Sequence, residues 1–131
     1  MSYEITRHNK NRGYMRLIVW QKALELFTLA CAMVPKDRHL DFKLRSQLLD
    51  SVQSISANIA EGYSRAARKD RGRFFEYALG SAREARDWYF KARPYLGPHA
   101  THARLALLTT IIKVMIVLVS KSRPMSVVLE A

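Results

Sequence analysis

The stretch HLDFKLRSQLLDSVQSISANIAEG, residues 39–62, decides the fold. Its apolar residues recur at steps of three and four, at Leu44, Leu48, Val52, Ile55 and Ile59. That spacing is the period of one helix face. Gly62 follows the last of these residues and predicts a left-handed C-terminal cap. The stretch therefore predicts an amphipathic helix that buries one side.

Three further segments show helical periodicity. The first covers residues 17–34 and ends before Pro35; its predicted core face consists of Leu17, Trp20, Leu24, Phe27, Cys31 and Val34. The next covers residues 68–93; its predicted core face is rich in alanine and consists of Phe75, Ala78, Ala82, Ala85, Tyr89 and Ala92. The last covers residues 99–122, between the break at Pro94, Gly97 and Pro98 and the stop at Pro124.

Short links between these segments predict antiparallel neighbours. We therefore expect an all-α protein, an up-down-up-down four-helix bundle in which residues 1–131 form one domain. Residues 1–15 are predicted to be a flexible basic N-terminal arm, and residues 123–131 a C-terminal tail.

Two features of the helices point to further contacts. Gly80, Ser81 and Ala82 are small, so another helix is predicted to approach closely there, which would compensate the roughly 1 kcal/mol that glycine costs in a helix. From Leu105 to Val119 the fourth helix is apolar on almost all sides. Because such a helix must be buried all round, we predict a second buried face against another subunit, and hence a homo-oligomer. The alternative, a membrane span, is disfavoured by the length of the run and by Lys113 in its middle.

The charge is strongly unbalanced. The 131 residues include 22 Lys and Arg against 11 Asp and Glu, a formal net charge of +11 and a pI near 10.2. Such a surplus is typical of proteins that bind a polyanion, although it also serves solubility.

In an up-down-up-down bundle the N-terminus, the link between the second and third helices and the C-terminus share one end. That end is predicted to bind RNA or DNA phosphates through Arg12, Arg16, Arg65, Arg68, Lys69, Arg71 and Arg73. Cations at the start of the third helix oppose its macrodipole, which favours an anionic ligand over a purely structural role. No base-reading motif is apparent, so the expected contacts are to the backbone.

The sequence shows no pattern of a catalytic or metal site. Cys31 is expected to be a packed thiol, and His99 and His102 to be solvated, since no further ligand is near them in sequence. Glu84 and Asp87 are expected to form local salt bridges with the basic residues around them. We therefore predict no enzyme activity, no cofactor and no metal. A lone cysteine and the lack of a signal peptide predict a cytoplasmic location.

Asn58 lies on the flank of the core face of the second helix and needs a hydrogen-bond partner. The structural hypothesis is a bond that fixes helix register or a subunit contact.

Three motifs carry a family resemblance: Val19-Trp20-Gln21-Lys22-Ala23, residues 54–65 (SISANIAEGYSR) and residues 78–84 (ALGSARE). They resemble the bacterial four-helix bundle proteins of the S23 ribosomal protein, or 23S rRNA intervening-sequence protein, family over about residues 17–96. The positions that carry the resemblance are Trp20, Asn58, Glu61, Gly62, Tyr63, Gly80 and Ser81.

The resemblance implies a homopentamer of up-down bundles with no established catalytic activity. It extends to the accessory variability proteins of diversity-generating retroelements, which are strongly basic and bind a reverse transcriptase and nucleic acid as pentamers. It therefore implies a non-enzymatic nucleic-acid-binding protein, with a scaffold that binds only proteins as the alternative.

Overall fold

The structure is a computed structural model that describes residues 12–33 and 41–123, with side chains from Leu17 onward in the first range. It contains five helices over these residues: α1 Arg12–Met33, α2 Phe42–Ser64, α3 Arg68–Lys91, the short α4 Arg93–Leu96 and α5 Pro98–Ser122. Val34, Pro35, the arm before residue 12 and the tail after Arg123 lie outside the described residues.

The four long helices pack in a closed square. Helix α1 contacts α2 and α5, and α3 contacts the same two helices from the opposite corner. Across the described ranges there is no strand. Only residues 65–67 separate α2 from α3, so these two helices run antiparallel. The predicted all-α four-helix bundle is confirmed.

Several predicted helix ends are corrected. Helix α1 begins at Arg12, so residues 12–15 belong to the helix and not to the arm. Helix α2 begins at Phe42 instead of residue 39, because the Asp41 carboxylate accepts a hydrogen bond from the Lys43 N–H and caps the first turn.

The predicted core faces of α2 and α3 are confirmed. On α2, the side chains of Leu48, Val52, Ile55 and Ile59 are fully buried, and Leu44 is partly buried against the core. On α3, all six predicted residues are fully buried, including its alanines. Helix α3 therefore presents a narrow face on which two neighbouring helices can lie close.

The predicted core face of α1 was wrong by one residue. The fully buried side chains are Val19, Ala23, Leu26 and Ala30, whereas Trp20, Leu24 and Phe27 are half-buried. The alanines let α1 approach its neighbours, and the larger side chains lie at the edge of the core. Cys31 is consequently exposed and not packed.

Gly62 does not form the predicted left-handed cap. Helix α2 continues to Ser64, and the C-cap is Arg65 in an extended conformation. A Cβ at position 62 would lie 2.5 Å from Phe75 Cε1, inside van der Waals contact. Glycine is needed here because the Phe75 ring of α3 lies directly on the α2 backbone.

The positive-φ residue of the described chain is Gly97, at φ 82°, between α4 and α5. Residues with a Cβ rarely adopt that conformation. The predicted break around Pro94, Gly97 and Pro98 is confirmed, with a short fourth helix inside it.

Helix α5 is long and apolar enough, by length and composition, to span a membrane; its most apolar 18 residues have a mean hydropathy of 2.0. This finding concerns the whole helix and not the apolar run from Leu105 to Val119, and the core helix of a bundle has the same length and composition. In the fold, however, Leu108, Ile111 and Met115 are fully buried in the bundle core. Insertion of α5 into a bilayer would remove one wall of that core.

Gly80 does not make the predicted close helix contact within the protomer. It is exposed, and a Cβ there would meet no atom within 4 Å. Gly62 and Gly80 thus differ in their surroundings, since a Cβ at the first would meet an aromatic ring and a Cβ at the second would lie in open space.

Gly62→Ala is expected to destabilise the protein by about 1–2 kcal/mol, since overpacking a core exceeds the gain in helix propensity. Gly80→Ala is the matched control and is expected to stabilise by up to about 1 kcal/mol. Urea unfolding monitored by circular dichroism measures both. Equal effects of the two substitutions would contradict the contact between Gly62 and Phe75.

Candidate functional site

The predicted basic end is formed where the α2–α3 link, the start of α3 and the end of α5 meet. The Arg68 guanidinium donates to the backbone carbonyl of Lys121, with Nε 2.8 Å from the oxygen. A Cβ at Gly72 would lie 2.7 Å from Ser122 Cβ, so α3 and α5 nearly touch at this level. Arg12 and Arg16 lie in the first turns of α1, and their side chains are outside the described residues.

Two arginines of this end donate hydrogen bonds to backbone carbonyls at or just after the ends of neighbouring helices. Arg68 binds the carbonyl of Lys121 in the last turn of α5 through both Nε and Nη2. Arg71 Nη1 donates to the carbonyls of Arg65, at 3.2 Å, and Ala66, at 2.6 Å, immediately after α2. The Arg68 guanidinium thus satisfies a carbonyl left free in the last turn of α5, and the Arg71 guanidinium satisfies two carbonyls of the link that directly follows α2.

This placement corrects the macrodipole argument. Cations at the start of α3 oppose the dipole of α3, but in an antiparallel bundle they also lie at the C-termini of α2 and α5, where positive charge is favourable. Arg68 and Arg71 therefore have a structural role as well, and their position alone does not indicate an anionic ligand.

Two other arginines flank an aromatic ring. The Arg65 guanidinium lies 4.8 Å, and that of Arg73 5.4 Å, from the centroid of Phe74. Arg65 also pairs with Glu61, and Arg73 lies 3.9 Å from Asp70. All these charged side chains are about half exposed. Both cations are held in place and remain open to solvent.

Lys69 and Lys121 are exposed cations of the basic end whose side chains make neither an ion pair nor a hydrogen bond with another described residue, unlike Arg68, which binds a carbonyl. Arg123, at the end of α5, lies 3.8 Å from Glu76 of α3. Phosphates could therefore contact these lysines without displacing a hydrogen bond or an ion pair of the described residues.

Sequence reasoning missed the aromatic residues at this end. Phe74 and Tyr77 make an edge-to-face pair with ring centroids 5.7 Å apart. The sequence did contain a signal for this pair. Phe74 directly follows Arg73, and Tyr77 lies three residues after Phe74, so the two rings share one side of a helix.

The motif residues of α2 form a polar link to α3. Asn58 Nδ2 donates to the Ser54 hydroxyl and to its carbonyl, both at 2.9 Å, and the Ser81 hydroxyl donates to Ser54 Oγ at 2.8 Å. Tyr63 meets Phe75 edge-to-face at 6.4 Å, and Trp20 packs on the edge of the core. Asn58 thus has the partner that its position required, and Ser81 is held at one register against α2.

The acidic pair on α3 behaves only partly as expected. Asp87 pairs with Lys91 at 2.7 Å, but Glu84 accepts a hydrogen bond from Trp88 Nε1 at 3.3 Å. Arg83 and Arg86 make no ion pair with a described residue and line an open groove of about 500 Å³ between α3 and α5.

The other polar candidates do not converge on one site. No group of three or more His, Cys, Asp or Glu side chains that could hold a metal ion occurs in the described part of the chain, which includes His99 and His102. Burial raises the pKa of Tyr89 above its ordinary range, and its hydroxyl has no hydrogen-bond partner among the described residues. Tyr89 is therefore a neutral core residue.

Arg71→Met is expected to lower the free energy of unfolding by about 1 kcal/mol, because the carbonyls of Arg65 and Ala66 lose their donor. Lys69→Met, two residues away, serves as the control and is expected to change stability by less than about 0.5 kcal/mol. Thermal unfolding measures both variants. If they behaved alike, the cap on α2 would contribute nothing to stability.

Comparison with known proteins places the chain in a family. The sequence model of the 23S rRNA-intervening sequence proteins matches residues 15–116. A crystal structure of a protein of unknown function from the S23 ribosomal protein family of Bacteroides thetaiotaomicron has the same fold, with a TM-score of 0.71 and 24% sequence identity. The likeness covers 77% of this chain and 97% of that one. Comparison with curated proteins gives no match.

The match runs from the first turns of α1 into the second half of α5 and so takes in every long helix, including the Ser54, Asn58 and Ser81 link and the start of α3. The protein therefore belongs to the 23S rRNA-intervening sequence protein family.

Proposed function

We propose that this protein is a non-enzymatic, oligomeric, nucleic-acid-binding protein that contacts the phosphate backbone of RNA or DNA. The observation that carries the proposal is the charge at the basic end. Among the described residues, the carboxylates there are Glu61, Asp70 and Glu76, and each lies next to one arginine. The cations are more numerous: Arg65, Arg68, Lys69, Arg71, Arg73, Lys121 and Arg123.

The arrangement suits phosphates better than base edges. Guanidinium groups offer planar pairs of N–H donors that match phosphate oxygens. The cations lie on helix ends and a three-residue link, and within residues 12–33 and 41–123 no helix or strand projects from the bundle as a reading element would. Binding without sequence readout follows from such a surface.

Self-association is part of the proposal. On α5, Ile116 is 44% and Val117 38% exposed, and α1 leaves Trp20 and Phe27 half-buried at the core edge. Contact between copies would remove this apolar surface from water. A homopentamer, which the family resemblance implies, would also multiply the number of basic ends that one polyanion can reach.

The proposed protein partner is a reverse transcriptase, for which the protein would act as an accessory factor that holds nucleic acid. The resemblance to the basic accessory proteins of retroelements and the charge of +11 support this role. The proposed location is the cytoplasm, without membrane contact, because α5 is needed to close the core.

A scaffold that binds only proteins is the second candidate. The groove between α3 and α5 favours it, since Arg83 and Arg86 stand beside the apolar Phe90 and Leu105. An acidic protein partner would fit there without any nucleic acid.

Binding of RNA or DNA is expected to weaken steeply with salt, with a log–log slope of about −0.7 to −0.9 per phosphate contacted. The double variant Lys69→Gln, Lys121→Gln is expected to have a shallower slope. Its magnitude should fall by about 0.7 to 0.9 for each lysine that contacts a phosphate. Fluorescence anisotropy over a range of salt concentrations measures both slopes. These lysines are chosen because their side chains bind no backbone carbonyl at a helix end, so their replacement should leave the fold unchanged.

The matched control is the double variant Lys43→Gln, Lys113→Gln, which removes the same charge away from the basic end. It is expected to keep the slope of the unaltered protein. Equal slopes for the two double variants would place the contacts elsewhere, and no binding at about 50 mM salt would favour the scaffold.

The mass in solution is expected to be five times the 15.1 kDa of one protomer. Light scattering after size exclusion measures it. Ile116→Glu is expected to lower that mass, because a buried charge opposes association. A protomer mass at micromolar concentration would contradict self-association.

A further inference from the structure

Four residues form an exposed surface beside the basic cluster, which we call the Tyr77 patch: Arg65, Arg73, Phe74 and Tyr77. Tyr77 is 52% exposed, although it is a large aromatic residue in the middle of a helix. Single exposed aromatics are common and need no explanation by themselves. The neighbours of Tyr77, however, give it a defined geometry.

Phe74 orients the Tyr77 ring. Their planes are at 86° and the centroids 5.7 Å apart, so the two rings do not stack. In an edge-to-face pair, Phe74 covers at most one face of Tyr77. Phe74 is itself flanked by the guanidinium groups of Arg65 and Arg73, which lie within 5.4 Å of its centroid. Phe74 therefore has contacts on its own ring, and it leaves at least one face of the Tyr77 ring uncovered.

Gly80 leaves the next turn of α3 without a side chain on its exposed side. Side chains on a helix lean toward its N-terminus, so a side chain at position 80 would extend toward residues 76 and 77. A Cβ there would meet nothing within 4 Å. A mid-helix glycine costs about 1 kcal/mol relative to alanine, and no contact with another described residue compensates it. The open turn provides room for a flat group beside Tyr77.

An aromatic ring among arginines has a specific use in nucleic-acid binding. Proteins that bind single strands combine cations that follow the backbone with aromatic rings on which bases stack. A base pair in a duplex is already stacked on both faces and cannot reach such a ring, whereas an unpaired base can.

We propose that the nucleic acid bound at the basic end is single-stranded, and that one unpaired base stacks on Tyr77 while Arg65, Arg73 and Lys69 contact the adjoining phosphates. This inference rests on the proposed function and names its ligand class. It assigns a role to Tyr77 and to the open turn at Gly80, neither of which the bundle itself requires.

The test compares one RNA strand of about 16 nucleotides, within the site sizes of single-strand binders, with the duplex that it forms with its complement. The single strand is expected to bind more tightly. Tyr77→Ala is expected to weaken single-strand binding roughly 5- to 150-fold, the equivalent of about 1–3 kcal/mol of lost stacking, and to leave duplex binding unchanged. Tyr77→Phe is expected to restore binding, since stacking needs the ring and not the hydroxyl.

Two further variants separate stacking from general effects. Gly80→Leu keeps Tyr77 but fills the turn beside it, and is expected to weaken single-strand binding as Tyr77→Ala does. Phe90→Ala is the matched control: Phe90 is 51% exposed and lies 4.1 Å from the Arg93 guanidinium at the opposite end of the bundle. It is expected to leave single-strand binding unchanged.

The outcomes that overturn the inference are distinct from failure of nucleic-acid binding as such. If Tyr77→Ala left the affinities for both RNAs unchanged, the proposed function would stand and the stacking role would not. If Tyr77→Ala lowered the oligomer mass, the Tyr77 patch would be a contact between copies. If the unaltered protein bound neither RNA, both proposals would fail.

Discussion

The close approach of α3 to its two neighbours is the constraint on which the bundle depends. Because the α3 core face is rich in alanine, α2 on one side and α5 on the other can pack close to it. Helix α1 contacts α2 and α5 and makes no contact with α3 in the described chain. Phe75 is a large ring that α3 directs at α2, and it is accommodated because residue 62 has no side chain. Bulky residues along the α3 face would move both neighbours outward and open the core around Leu48, Ile55 and Leu108.

The antiparallel arrangement also decides what the basic residues do. Where helices run in opposite directions, the start of one lies beside the ends of two others, so a cation that is unfavourable for one dipole is favourable for its neighbours. Arg68 and Arg71 show this directly. The cations of the basic end therefore fall into two groups. Some arginines donate hydrogen bonds to backbone carbonyls at or beside helix ends, whereas the side chains of Lys69 and Lys121 do not.

The sequence predicted the helices and two of the core faces, because α2 and α3 each carry one unambiguous apolar stripe. It failed on α1, where apolar residues cover two adjacent sides and periodicity cannot tell which side faces inward; the small size of Ala23 and Ala30 was the better indicator. It also failed on Gly62, since a glycine near a helix end has the same local signal whether it caps the helix or makes room for a ring. At the basic end the sequence could place the charges but not the contacts of Arg68 and Arg71, which involve carbonyls of other helices.

The connection between α2 and α3 has a consequence for how the chain folds. Only three residues separate these helices, and two contacts fix their alignment: Phe75 against Gly62, and Ser81 bonded to Ser54. A slip of one turn, about 5.4 Å, would break both. Contacts between residues so near in sequence close only short loops, which form quickly. The α2–α3 hairpin is thus suited to act as a nucleus, a preformed surface on which α5 and then α1 can condense without a search over alternative registers.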